Sequence, residues 1–230
     1  MVVQARMGSS RLPGKMMEDL VGRPLLWHIL QRAVRVRPEL PVVLATTDHP
    51  RDQILIEVAA DCGVHVVCGS EDHVLSRFLK ALEDFPARWV VRVCGDSPLF
   101  DPSFLNRCLQ CAEKNDADVV KFQGDPPSLF QGGEVVSSKA LHYSLQHAGD
   151  DPLAYEHVTA WAMRNAENIP DAMKTAYVQP VAGMMTPVKL SIDTAEDLAR
   201  LRLLYQALYD GKNILDLESA ARWIRDGGWQ

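Results

Sequence analysis

At 230 residues the chain is long enough for one domain with a sizeable core. Its 47% hydrophobic and 23% charged content is ordinary for a soluble globular protein, and no apolar run approaches the length of a bilayer span. A formal charge of −6 argues against a general nucleic-acid binder. The five cysteines form no disulfide framework and the start shows no charged-then-apolar signal pattern, so the expectation is a cytoplasmic protein with neither nucleic-acid nor membrane partners.

The first apolar run, Val2 to Ala5, reads as a buried strand. It opens into the loop Gln4-Ala-Arg-Met-Gly-Ser-Ser-Arg-Leu-Pro-Gly-Lys15. Gly8, Ser9 and Ser10 let backbone N–H groups approach an anion, while Arg6, Arg11 and Lys15 supply charge and directional donors. The segment is not a Walker A motif. Five residues rather than four separate Gly8 from Gly14, Pro13 removes a donor, and Met16 stands where that motif needs Ser or Thr. It is not a GxGxxG fingerprint either.

Helical periodicity and strand-like runs then alternate. Helices are expected over Pro24–Val36, Arg51–Cys62, Asp72–Phe85 and Pro102–Asn115, and strands over Val42–Ala45, Val64–Val67, Trp89–Val93 and Val119–Phe122. Gly63 suits a helix stop, and Asp101-Pro102 supplies an N-cap followed by a favourable proline. Cys108 and Cys111 form a CxxC inside the fourth helix, with no second pair nearby, and read as helix residues. The alternation predicts an α/β, Rossmann-like and predominantly parallel sheet with helices on both faces. Ligands of such sheets bind at the carboxyl ends of the strands, where the Gln4–Lys15 and Gly95–Pro98 loops fall.

The rhythm breaks after Phe122. The turn cluster Gly124-Asp-Pro-Pro127 and Gln131-Gly-Gly133 precede a short strand, Glu134 to Val136. Helices are expected over Ser138–His147 and Pro152–Asn165, a returning strand over Val188–Ile192, and helices over Thr194–Tyr209 and Leu217–Arg225. Residues 1–230 are therefore read as a single domain with 123–185 as an insertion or lid. Ala154, Val158 and Trp161 give that segment an apolar face a small insertion could hardly bury alone, which predicts a homodimer contact.

Two aspartates carry the chemistry. Asp96 follows the fourth strand within Gly95-Asp-Ser-Pro98, and Asp193 follows Val188–Ile192. Carboxylates presented at strand ends, facing a cationic loop, suit Mg²⁺, which favours carboxylate oxygens together with substrate phosphates.

The segment Gln4–Lys15 resembles the signature loop of nucleotidyltransferases that activate sugars with CTP, and most of all the SpsF-like branch of the acylneuraminate and KDO cytidylyltransferases. Three more segments are similar to family motifs in the same order. They are Arg92-Val-Cys-Gly-Asp96-Ser-Pro-Leu-Phe-Asp101, Glu156-His157-Val-Thr159 and Leu190-Ser-Ile-Asp193-Thr-Ala-Glu-Asp197. The resemblance implies a nucleotide-diphospho-sugar transferase fold and Mg²⁺-dependent transfer of CMP from CTP to a sugar or sugar acid, with release of pyrophosphate. It implies catalytic roles for Arg11, Lys15, Asp96 and Asp193, with the two aspartates on the metal. Nucleotide binding falls to Gln4, Ala5, Arg6, Gly8, Ser9, Arg11, Lys15, Ser70, Arg77 and Asp96. The acceptor falls to Glu134, Glu156 and His157, in a region that also forms a homodimer contact. This chain has Gln131-Gly132-Gly133-Glu134 where the family usually carries an acidic residue directly after a glycine, and Cys94 and Ser97 replace commoner neighbours of the metal aspartate. The alternatives are a GT-A type glycosyltransferase, disfavoured by the absence of Asp-x-Asp at Asp96, and a non-catalytic nucleotide-binding regulatory protein.

Overall fold

Apolar residues at successive positions of each strand cannot share one face, because side chains of a strand alternate across the sheet. Val2 and Val3, Val43 and Leu44, Val90 and Val91, and Val119 and Val120 divide accordingly between two separate cores. A sheet buried on both faces is what such runs require. The computed structural model describes residues 1–124, 132–180 and 188–229. Asp125 to Pro127, Gln131 and Gly183 lie outside the described residues.

The chain order is β1 (Val2–Gln4), α1 (Leu25–Ala33), β2 (Val43–Thr47), α2 (Gln53–Asp61), β3 (His65–Gly69), α3 (Val74–Asp84), β4 (Trp89–Cys94), α4 (Pro102–Asn115) and β5 (Val119–Phe122). There follow β6 (Gly133–Ser137), α5 (Ser138–His147), α6 (Pro152–Glu156), α7 (Ala160–Asn165), β7 (Thr175–Val178), α8 (Ala195–Leu208) and α9 (Leu217–Arg225). The seven strands form one sheet in the order β3-β2-β1-β4-β6-β5-β7. Every pairing is parallel except those of β6, which runs antiparallel to β4 and β5. Helices α1, α2, α4, α8 and α9 cover one face, and α3, α5 and α7 the other.

The end signals act as expected. Gly63 adopts φ +68° after α2, and the Asp101 carboxylate caps α4 through the N–H of Ser103, with proline in the first turn.

The second half departs from expectation in four ways. Val188–Ile192 is not a strand: Leu190 and Ile192 are buried in the first core, which gave the run its strand-like look, but the segment joins no ladder among the described residues. The helix expected over Pro152–Asn165 is broken at His157-Val158-Thr159, where buried Val158 takes φ +39°, an uncommon left-handed conformation for a β-branched residue. Strands β6 and β7 lie inside the segment read as an insertion, yet both belong to the main sheet, β6 in its interior and β7 at its edge. Finally, Ala154 and Val158 are fully buried within their own chain and Trp161 is half-buried against the same core, so the apolar face invoked for a partner is largely used internally.

Candidate active site

Strand β1 ends at Gln4, and the loop beyond it folds back on itself. The carbonyl of Met7 accepts the N–H groups of Ser9 and Gly14, both at 2.9 Å. Gly14 takes φ +78°, a conformation that glycine adopts without penalty, and delivers the chain into the short 3₁₀ turn Lys15–Met17. This turn drops the Lys15 side chain, 11% exposed, into the cleft between the loop and the end of β4.

The β4 turn is fitted closely against the end of β1. The N–H of Gly95 donates to the carbonyl of Gln4 at 2.8 Å, and a Cβ on Gly95 would lie 2.6 Å from that same oxygen. Glycine is therefore required where the two strand ends meet. Asp96, the next residue, accepts the Ser97 hydroxyl on Oδ1 at 2.9 Å and turns Oδ2 towards Lys15, 3.9 Å away.

Asp193 arrives from the other end of the chain. The N–H of Ile192 donates to the carbonyl of Asp96 at 2.7 Å, and Lys15 Nζ donates to the carbonyl of Ile192 at 2.7 Å. Asp193 Oδ1 lies 3.8 Å from Lys15 Nζ and accepts Arg11 Nη2 at 2.7 Å, while its Oδ2 is 2.9 Å from Lys189 Nζ. Asp193 does not cap α8. That role belongs to Thr194 and Asp197, which form a reciprocal capping box. Burial would raise the Asp197 carboxyl, but Lys189 and the N–H groups of Asp193 and Thr194 outweigh it and hold it at about 2.

These elements enclose a cleft of about 220 Å³. Of the residues expected there, Gln4, Ala5, Arg6, Ser9, Arg11, Lys15, Arg77, Asp96, Glu156, His157 and Asp193 line it. Gly8, Ser70 and Glu134 do not. A Cβ on Gly8 would run into Arg51 and Glu71, so its missing side chain serves packing beside the loop. The Ser70 carbonyl instead accepts Arg77 Nη1 at 2.5 Å, and its hydroxyl accepts the N–H of His73 at 3.2 Å. Glu134 lies on β6 and binds Arg92 and the Thr159 hydroxyl. Glu156 and His157 are exposed at the break between α6 and α7.

The cleft also holds groups outside the expected set, among them Arg92 and Cys94. Arg92 is buried, donates from Nε to Gln4 Oε1 at 2.9 Å and pairs with Glu134, so a polar row crosses β1, β4 and β6 beneath the cleft. Burial disfavours its charge, but the facing carboxylates raise its pKa above the ordinary arginine value. Burial pushes the Cys94 thiol up to about 12, which keeps it neutral and unsuited to bind metal as a thiolate. Arg77 is lowered to about 10 by burial and then by Arg6, and its buried Nε has no hydrogen-bond partner among the described residues. A buried donor without a partner is uncommon in a folded chain.

Among the described residues there is no group of three or more His, Cys, Asp or Glu side chains that could hold a metal alone. Asp96 and Asp193 offer oxygen donors only, and phosphate oxygens would have to complete the shell. This donor set fits Mg²⁺.

A doubly covered α/β sheet with a cationic glycine–serine loop and two carboxylates facing its lysine, Asp96 beyond β4 and Asp193 just before α8, defines a site of the nucleotidyltransferase class. The chain matches the family model described as cytidylyltransferase over residues 1–215, and it belongs to that family, in the SpsF-like branch. It is similar to the spore coat polysaccharide biosynthesis protein SpsF of Bacillus subtilis (strain 168), with 31% identity over 210 residues covering 89% of this chain and 85% of that one. Two solved structures share the fold. A cytidylyltransferase from Leptospira borgpetersenii serovar Hardjo-bovis (strain JB197) has a TM-score of 0.86 at 24% identity, covering 98% of this chain and 92% of the other. A CMP:2-keto-3-deoxy-manno-octonic acid synthetase complexed with CTP has a TM-score of 0.63 at 20% identity, covering 90% and 98%. Family membership makes the protein a nucleotidyltransferase and removes the glycosyltransferase and non-catalytic alternatives.

Proposed function

We propose that this protein transfers CMP from CTP to a sugar or sugar acid, such as a ulosonic or nonulosonic acid, in surface-polysaccharide biosynthesis in the cytoplasm. The observation that carries the reading is the seating of Lys15 Nζ within 4 Å of both Asp96 and Asp193, at the mouth of a cleft walled by the loop cations. The similarity to SpsF and to a synthetase complexed with CTP supports the choice of nucleotide and the class of acceptor.

An acceptor hydroxyl oxygen attacks the α-phosphorus in line and gives up its proton to solvent, the bond from that phosphorus to the bridging oxygen breaks, and pyrophosphate leaves with the electron pair. Mg²⁺ held by Asp96 and Asp193 with phosphate oxygens would supply charge stabilisation at the α-phosphate. Arg11, 63% exposed and paired with Asp193, and Lys15 neutralise the outer phosphates as the leaving group gains charge. Gln4, Ala5 and Arg77 border the nucleoside. Glu156 and His157 face the acceptor, and Glu134 acts through Arg92 by holding that guanidinium beneath the cleft.

We further propose a single-domain subunit that forms a homodimer through the layer of α5 and α6, where Leu145 and Leu153 remain exposed. Sedimentation at micromolar concentration tests this, and a monomer removes it. Incubation with CTP, Mg²⁺ and a panel of sugars and sugar acids, read by pyrophosphate release, tests the activity. No release with any sugar acid, or release with ATP or GTP as readily as with CTP, overturns it.

A further inference from the structure

The loop between Arg6 and Met17 has one short 3₁₀ turn and no strand or long helix to hold it. A loop that must order itself on binding loses affinity by that ordering cost. Part of what holds this loop lies outside it. Asp52, fully buried and absent from the cleft lining, ends the short turn Pro50–Asp52 beyond β2. Its Oδ1 accepts the backbone N–H of Met7 at 2.8 Å. Its Oδ2 accepts the hydroxyl of Thr47, the last residue of β2, and that hydroxyl oxygen accepts the N–H of His49 at 3.2 Å.

Met7 is the hinge pin of the loop, because its carbonyl already accepts the N–H groups of Ser9 and Gly14. With Asp52 on its N–H, both polar groups of Met7 are engaged, one closing the loop on itself and the other fastening it to the sheet. The same turn braces the loop a second time. Arg51 binds Glu71, Glu71 accepts Arg6 Nη1 at 3.1 Å, and Arg51 fills the space beside Gly8.

We propose that Asp52, oriented by Thr47, is a positioning residue that presets the phosphate-binding loop before nucleotide arrives. The inference rests on the proposed binding of CTP, but its structural half concerns the free protein and can be read without ligand. A hydrogen bond from a backbone N–H to a carboxylate is among the stronger ones, so its loss should be visible at the loop.

The test uses Asp52→Ala, Asp52→Asn and Thr47→Val in the full chain, with hydrogen exchange of the free protein and titration with CTP. In Asp52→Ala the amides from Met7 to Gly14 should exchange on the order of tenfold faster, with the amides of β4 to β7 unchanged, and the Kd for CTP should rise by about tenfold. Asp52→Asn keeps an oxygen for the Met7 N–H and should recover most of both losses. Thr47→Val, which frees the carboxylate to rotate, should fall between. Loop exchange and CTP affinity at wild-type values in folded Asp52→Ala overturn the inference, and so does Asp52→Asn as impaired as Asp52→Ala. If Asp52→Ala does not fold, the other two variants decide, since wild-type loop exchange in Thr47→Val together with loosened exchange in Asp52→Asn contradicts the assignment. If the wild-type protein binds no CTP, the functional reading falls and loop exchange alone decides the role of Asp52.

Discussion

Lys15 donates its ammonium proton to the carbonyl oxygen of Ile192 at 2.7 Å, across 177 positions of sequence. The bond draws the chain before Asp193 against the loop after β1 and leaves Lys15 between Asp193 and Asp96. Two carboxylates held near each other repel, and a buried ammonium between them offsets that repulsion while the site awaits its ligands. The opposing charges that would bind phosphate and metal are thus stored against each other.

Asp96→Asn and Asp193→Asn should each lower turnover by orders of magnitude with the fold retained, since each removes a negative oxygen from the metal shell. Circular dichroism and pyrophosphate release check the two halves of the statement. Full activity in either variant removes that residue from the mechanism. Asp193→Asn should also release Arg11 and Lys189 from their shared partner, visible as a weaker salt dependence of stability.

Lys15→Ala and Arg11→Ala should weaken CTP binding far more than CMP binding, because both contacts are assigned to the outer phosphates. Calorimetry with the two nucleotides separates this from a uniform loss. Lys15→Ala should also lower Tm, since it deprives the Ile192 carbonyl of its donor and leaves two aspartates facing each other. Arg11→Ala, at an exposed position, should leave Tm nearly unchanged.

Gly95→Ala should lose activity by on the order of a hundredfold, the scale of a displacement of about 1 Å at a catalytic group. The added methyl would meet the Gln4 carbonyl at 2.6 Å and the Met16 sulfur at 3.1 Å, and so push Asp96 away from Lys15. Wild-type turnover in this variant would show that the two strand ends need not touch.

Glu156→Gln and His157→Gln should raise the KM for the acceptor and leave the KM for CTP nearly unchanged. Steady-state kinetics with each substrate varied in turn check this. The opposite pattern would move these residues to the nucleotide half of the cleft.

His28 gives the protein a pH-dependent stability unrelated to catalysis. The ring is buried between Trp27, Tyr205 and Tyr209 and donates Nε2–H to the Leu20 carbonyl at 2.7 Å. Burial lowers its pKa from 6.5 to about 4, against the opposing effect of the Leu20 bond. Between these values the unfolded chain binds a proton that the folded chain does not, so stability is full above pH 6.5 and is lost as pH falls towards 4. The total is roughly 3 kcal/mol. Urea unfolding from about pH 4 to pH 7 should show this slope, and His28→Gln should flatten it.

Much of this site was legible in sequence because its signals are local. Glycines, serines and cations within twelve positions mark the loop, and Asp96 and Asp193 each follow a strand-like pattern, the run Trp89–Cys94 and the alternation Val188–Ile192. Groups fixed by distant partners left no such mark. Asp52 binds a residue 45 positions away, and Arg92 binds Gln4 88 positions away. The edge strand β7 escapes a reading of the sequence because its Thr-Ala-Tyr-Val run is short and its Tyr177 is half exposed. The break after Glu156 escapes it because the residues there suit a continuous helix. Tertiary packing of Val158 and the bond from Thr159 to Glu134 override that preference.

The antiparallel strand β6 is wedged between β4 and β5, and this fixes an order on assembly. The half-sheet β3-β2-β1-β4 can form from the first 94 residues with parallel pairings alone. Strand β5 comes next off the ribosome but has no neighbour on that half-sheet until β6 has been made and inserted. Its other partner, β7, is later still. The nascent chain must therefore carry β5 unpaired through the synthesis of at least one more strand, after which β5, β6 and β7 can join the sheet as one cooperative unit.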